Sequence, residues 1–131
     1  MVYIYPAEFT PCEEGGYTVT FPDLPGAITE GDTLKEALYM AQDCLGGFLW
    51  SMEKDNDPIP KPTDITHFTA SADGVFFTLV NIDLAEYKRI HSEKPVRKSL
   101  YIPKGLNEKA EAQGINFSQV LRDALSRAIV Q

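Results

Sequence analysis

Hydrophobic and polar positions alternate through VYIYPAEF near the N-terminus and again through GYTVTF, and most of the apolar slots hold β-branched or aromatic residues. A period of two sends successive side chains to opposite faces of a strand. With CEEGG between them as a hairpin connection, two antiparallel strands are expected, and AITEG offers a short third. The period then changes. Leu34, Ala37, Leu38, Ala41, Leu45, Phe48, Leu49 and Met52 recur at three and four, the stripe of a helix with one buried side. Thr33 and Glu36 stand at the capping-box spacing that starts such a helix. The Gly46-Gly47 pair inside it costs about 1 kcal/mol per residue in helix propensity, and close packing against a sheet is the expected reason for it.

DNDPIPKPTD, with its three prolines, reads as a connection. GVFFTLVNI then has almost no polar alternation, which predicts a central strand covered on one face by the helix. DLAEYKRIH predicts a short helix capped by Asp83. The order β-β-β-α-β followed by a short helix makes an α+β domain of about 90 residues, enough for a core of its own.

The remaining segment is organised differently. In PVRKSLYIPKGL a strand is expected with Leu100 and Ile102 on one side and Arg97, Ser99 and Tyr101 on the other, leaving one edge unpaired. Pro103 opens a helix where its missing N–H costs nothing. Leu106 and Ala110 share a face, and Gly114 stops the helix from the C′ position. Asn116 caps the next helix, with Gln119 at the capping-box offset, and Val120, Leu121, Ala124, Leu125, Ala128 and Ile129 form its apolar stripe. A strand and two short helices in roughly 35 residues cannot bury such stripes alone. Two copies are therefore expected to combine, with Leu100, Ile102, Leu106, Val120, Leu121 and Leu125 at the dimerisation surface. The expected division is an N-terminal domain over residues 1–93 and a C-terminal one over 94–131.

Charge sharpens that division. Residues 1–93 hold 5 Lys/Arg against 16 Asp/Glu, a balance of −11, whereas residues 94–131 hold 7 against 3, a balance of +4, which together give the −7 of the whole chain. An acidic body repels a polyanion and a basic tail attracts one, so two different partners are implied. No apolar run approaches the roughly 20 residues that span a bilayer, and MVYIYPAEF has neither a basic n-region nor a cleavage site, so a cytoplasmic protein without membrane partners is expected. Cys12 and Cys44 lack C-x-x-C or metal-like spacing and are expected to be reduced, small apolar side chains.

The segment FPDLPGAITEGDTLKEA, Phe21 to Ala37, crowds prolines, glycines and acids between strand and helix. Asp23, Glu30 and Asp32 could in principle gather divalent ions for phosphodiester hydrolysis. Capping and the helix macrodipole already account for Asp32 and Thr33, while Pro22, Pro25 and Gly26 have the composition of a turn. A structural corner is the better account. His67 and His91 belong to different segments with no nucleophile or second ligand near them in sequence, and no phosphate loop, G-x-S-x-G or H-E-x-x-H occurs. No enzyme activity, catalytic residue, metal or cofactor is expected.

The layout of strand, Pro103, helix, Gly114 and helix resembles the ribbon-helix-helix fold of the Arc and MetJ repressors. That resemblance implies an antiparallel two-chain ribbon in the major groove. Arg97, Ser99 and Tyr101 would fall at its base-reading positions, although Tyr101 departs from the Arg or Lys often found there. The backbone N–H groups after Asn116, at Phe117 and Ser118, would hold a phosphate. Taken together, FPDLPGAITEGDTLKEAL, NIDLAEYKR and RKSLYIPKGLNEKAEAQGINFSQVLRDAL resemble the HicB family of antitoxins over nearly the whole chain. The family implies a partial ribonuclease-H-like N-terminal domain that neutralises a HicA-type toxin, a small basic mRNA-cleaving ribonuclease. It also implies a C-terminal domain that represses the toxin-antitoxin operon as a dimer or higher homo-oligomer. Asp23, Glu30 and Asp32 are the acidic candidates for toxin contact. The alternative is a ribbon-helix-helix regulator whose N-terminal domain senses a small ligand.

Overall fold

The computed structural model describes residues 1–92 and 94–129. The chain divides into two compact units, one from Met1 to His91 and one from Ser92 onward. The first holds β1 (Val2–Pro11), β2 (Tyr17–Thr20), β3 (Ile28–Gly31), α1 (Leu34–Lys54), a single 3-10 turn (Ile65–His67), β4 (Phe76–Asp83) and α2 (Leu84–Ile90). The second holds α3 (Lys104–Ala112) and α4 (Phe117–Ile129). Among the described residues no helix is long and apolar enough to cross a membrane.

The strands form one antiparallel sheet in the order β3-β2-β1-β4. The β1–β2 hairpin turns through CEEGG as its composition suggests, closed by Cys12 N–H to the Gly16 carbonyl and Gly15 N–H to the Cys12 carbonyl, each at 3.0 Å. β4 is an edge strand, not the central strand that its unbroken apolar run predicts. Only Val80 of β4 is buried, and Phe77 owes its cover to Phe68, whose ring stacks on it at 4.9 Å. The missing alternation thus reflects a loop laid over part of the second sheet face and an exposed apolar residue, Leu79, beside it.

The true central strand, β1, carries Pro6. β1 and β4 exchange backbone hydrogen bonds at every second pair, and the Leu84 N–H to Met1 carbonyl bond fixes the phase, which places Pro6 opposite Leu79 in a pair that needs no N–H. Pro6 therefore turns its backbone toward β2, and β2 reaches only as far as Glu8. A proline is tolerated because no ladder bond is asked of it.

Alternation sorts the side chains. Tyr5, Ala7 and Phe9 of β1, Val19 of β2 and Val80 of β4 meet Ala37, Ala41, Leu45 and Leu49 of α1 in one core, with Phe21, Leu24, Ala27 and Leu84 closing its ends. Phe9 stacks on Phe76 at 5.1 Å and meets Tyr17 edge-on at 6.3 Å. Gly31 lets β3 approach α1 closely, since a Cβ there would stand 2.4 Å from the Ala37 nitrogen. The glycine pair in α1 has a different reason from the expected one: a Cβ on Gly46 would lie 2.4–2.7 Å from the Tyr87 ring. The close partner is α2, not the sheet.

The second unit has no buried residue in either helix. Pro103 is the N-cap of α3, one position earlier than expected, and Lys104 is the first helical residue. α3 ends as the sequence predicts: Gly114 has φ of +71°, Ile115 N–H reaches the Ala110 carbonyl, and Gly114 N–H reaches that of Glu111. Asn116 caps α4 by accepting the Gln119 N–H at 3.0 Å, while the Gln119 amide donates forward to Asp123 and not back to the cap. The strand expected around Arg97 to Ile102 is absent from the single chain, where residues 94–103 lie outside regular structure. A lone strand has no ladder, and without a second one its backbone gains nothing from being extended.

Candidate interaction surfaces

The corner from Phe21 to Gly31 is built by its turn residues. Leu24 N–H bonds the Phe21 carbonyl and Ala27 N–H bonds that of Leu24, both at 3.0 Å, and Gly26 sits at φ of +97°, a conformation that costs other residues energy. Phe21, Leu24 and Ala27 turn into the core, while the prolines remain outside.

The three acidic candidates have different surroundings. Asp23 is half-buried and taken up by Thr63: its carboxylate accepts from the Thr63 N–H at 2.9 Å and from the hydroxyl at 2.5 Å. It thereby pins the proline-rich connection to the corner, and the Tyr5 hydroxyl, which donates to the Pro60 carbonyl, holds the same segment. Burial, with the neighbouring Tyr3, raises the Tyr5 phenol above its ordinary value. Asp32 precedes the N-cap of α1, where Thr33 accepts the Glu36 N–H at 3.0 Å and the Glu36 carboxylate accepts the Asp32 N–H at 3.4 Å. Glu30 is exposed on β3, on the sheet face away from α1. Among the described residues no three His, Cys, Asp or Glu side chains converge in a way that could hold a metal ion. Thr63, which explains Asp23, escapes sequence reasoning because it lies 40 positions away.

At the C-terminal end of the body, Tyr87 joins α2 to α1. Its hydroxyl donates to Asp43 at 3.3 Å, its ring lies on the His91 imidazole at 4.0 Å, and Trp50 meets it edge-on at 6.2 Å. Burial, then the negative charge of Asp43, pushes the Tyr87 phenol far up, so it is a neutral donor at any physiological pH. The His91 imidazole stands 3.8 Å from the same Asp43 carboxylate. Lys88 pairs with Glu53 across the same joint.

The tail presents the opposite character. Tyr101 is 104% exposed, Leu100 57% and Ile102 47%, and Arg97 and Ser99 are exposed with them. Leu106, Val120 and Leu125 are all more than half exposed, while Leu121 is half-buried. Asn116, Phe117 and Ser118 stand together at the start of α4, where helix geometry leaves the first-turn N–H groups without intrahelical acceptors. Each helix thus carries an apolar stripe that is largely exposed in the single chain.

Comparison with known proteins identifies the family. Residues 5–124 match the family model described as the HicB-like antitoxin of bacterial toxin-antitoxin systems. Antitoxin HicB 1 of Photorhabdus laumondii is 52% identical over 58 residues, 44% of this chain and 37% of that protein. Antitoxin HicB of Escherichia coli is 43% identical over 61 residues, 47% of this chain and 44% of that protein. The matched segments span less than half the length of these curated relatives. A chain of a toxin-antitoxin complex from Streptococcus pneumoniae superposes with a TM-score of 0.62 at 31% identity, covering 96% of this chain and 98% of that one. The antitoxin HicB of Burkholderia pseudomallei shares the fold, with a TM-score of 0.56 at 20% identity over 96% of this chain and 98% of that one. The chain belongs to the HicB-like antitoxin family, whose named members are antitoxins and not enzymes.

Proposed function

We propose that this HicB-like protein neutralises a HicA-type mRNA-cleaving toxin with its body and, as a dimer, binds operator DNA with its tail to regulate its own operon, both in the cytoplasm. The observation that carries this is the coincidence of the charge reversal with the structural division. Met1–His91 holds 5 Lys/Arg against 15 Asp/Glu, a balance of −10, and the chain from Ser92 on holds 7 against 4, a balance of +3. A folded acidic body fits the cationic surface that a ribonuclease keeps for its substrate, and complementary fields speed the capture. Neutralisation is then occlusion, with no chemistry by the antitoxin. The body is read as the partial ribonuclease-H-like domain of this family.

In the tail, residues 96–102 of two copies would pair as an antiparallel ribbon. Leu100 and Ile102 would turn inward with Leu106, Val120, Leu121 and Leu125, and Arg97, Ser99 and Tyr101 outward to base edges. The Phe117 and Ser118 N–H groups at the start of α4 would take a phosphate. The exposure of the outward set, and of every inward residue except the half-buried Leu121, supports this assignment.

The test is co-purification. The tagged chain, expressed with the open reading frame beside its gene, is expected to bring down a small basic protein that cuts RNA only after separation under denaturing conditions. Arg97→Ala is expected to weaken operator binding, with a loss of about 1–3 kcal/mol at one base position, and to leave toxin capture unchanged. Binding to DNA should also fall steeply with salt as counterions are released. Loss of both activities in Arg97→Ala would sink the division of labour. A ligand-dependent rise in melting temperature, with no protein recovered, would favour the ligand-sensing alternative.

A further inference from the structure

The body's sheet has one face under α1 and a second face whose composition is unusual. Alternation puts Val2, Ile4, Pro6, Glu8 and Thr10 of β1 on that second face, opposite Asp83, Asn81, Leu79 and Phe77 of β4. Thr18 and Thr20 of β2 and Ile28 and Glu30 of β3 complete it. A water-facing side of an antiparallel sheet is ordinarily polar at these positions. Here Phe68 roofs Phe77 and Pro6 is fully buried, yet Val2, Ile4 and Leu79 beside them remain 56%, 47% and 52% exposed. Ile4 is directly opposite Asn81 and diagonal to Leu79, and Val2 is the next residue on that face, so the three form one strip. The strip runs to the free edge of β4, where the Gln42 amide takes the Asn81 carbonyl and the backbone of Leu79 points off the sheet.

The charges of this face are of one sign. Its ionisable strand residues are Glu8, Glu30 and Asp83, with no Lys or Arg among them. The nearby cation is the N-terminal amine, 3.6 Å from Asp83. A nucleic acid or an anionic lipid surface is repelled here. A second copy in the same orientation would bring carboxylates against carboxylates, which is disfavoured at an interface. A basic protein that offers apolar side chains within a Lys/Arg rim satisfies both the strip and its charge.

We propose that the Val2–Ile4–Leu79 strip is the surface on which the body seats its basic toxin partner. The inference rests on the toxin-binding reading above and names its site. The acidic corner is then not the contact: Asp23 is held by Thr63 and Asp32 adjoins the cap of α1, whereas Glu30 belongs to the rim of the docking face.

The experiment measures affinity of the full chain for the purified protein encoded by the adjacent reading frame. Ile4→Lys combined with Leu79→Lys is expected to weaken binding at least tenfold, while Leu38→Lys, on α1 across the sheet, leaves it within twofold. If the double variant melts early, Leu79→Thr, which favours a strand, is expected to give about a threefold loss with an unchanged melt. Undiminished binding by a folded variant overturns the inference and leaves the toxin reading intact. A drop in oligomer size by light scattering in the double variant would assign the face to a second copy and also overturn it. No binding by the unaltered chain overturns the parent reading and the inference together.

Discussion

Body and tail are both regular secondary structure, but only one of them is a finished fold. α1 buries Ala37, Ala41, Leu45, Gly46 and Leu49, whereas α3 and α4 have no fully buried residue and leave Leu106, Val120, Leu125 and Ile129 more than half exposed. Their local chemistry is equally good: Thr33 caps α1 and Asn116 caps α4, each at 3.0 Å from its N–H donor. Caps and turns therefore decide where a helix begins and ends, and burial decides whether it holds its place. Helices as short as α3 are marginal in water without an apolar partner surface. The body encloses its own core, while the apolar faces of the tail stay largely exposed in the single chain, as the dimer proposed above requires.

The largest expected effect that tests this contrast is in the body's core. Leu45 is fully buried among the sheet residues, so Leu45→Ala should cost about 2–5 kcal/mol. The unfolding free energy of the body from denaturant melts should fall by that amount at any protein concentration. If the proposed dimer covers the apolar faces of the tail, the tail's transition should instead move with concentration. A concentration-independent tail transition would break the contrast.

Next in size is the joint of α1 and α2. Gly46→Ala gains helix propensity in an isolated helix, yet here its methyl enters the Tyr87 ring, so a net loss of about 1–3 kcal/mol is expected from overpacking. A stabilised variant would show that α2 yields freely and that the body is looser than its core suggests.

The cap of α4 is a smaller perturbation. Asn116→Ala removes the acceptor of the Gln119 N–H and should cost about 1 kcal/mol of helix stability. It should appear as lower helicity in the tail with no change in the body's melt.

The smallest effect is the pH dependence. Tyr87 and Tyr5 are held protonated in the fold above the ordinary phenol value of 10.0. In the unfolded chain they ionise near that value, so the folded state binds more protons above it. Their stabilisation is full below about pH 10 and declines as pH rises beyond it. Tyr87→Phe should flatten the alkaline loss of body stability measured by denaturant melts from pH 8 to 11, with Tyr5 supplying what remains.

What the sequence determined by itself is the set of local decisions. Thr33, Asp83, Gly114 and Asn116 are legible because capping needs a particular side chain or a positive φ within a few residues of the helix end. The charge reversal and the α+β class of the body are legible for the same reason, since both are sums over neighbours in the chain. Only the tertiary structure decided that β4 is an edge strand, that Asp23 serves Thr63, and that Gly46 makes room for Tyr87. It also decided that Val2, Ile4 and Leu79 share the uncovered part of one sheet face. Each of these depends on residues some tens of positions apart being brought together by the register of a sheet or the crossing of two helices. The apolar run of β4 was consistent with either a buried centre or an edge under a loop, and the order of strands made the choice. The tail stops short of that step: its sequence writes apolar faces that stay largely exposed in the single chain, because two short helices offer too little surface to bury them.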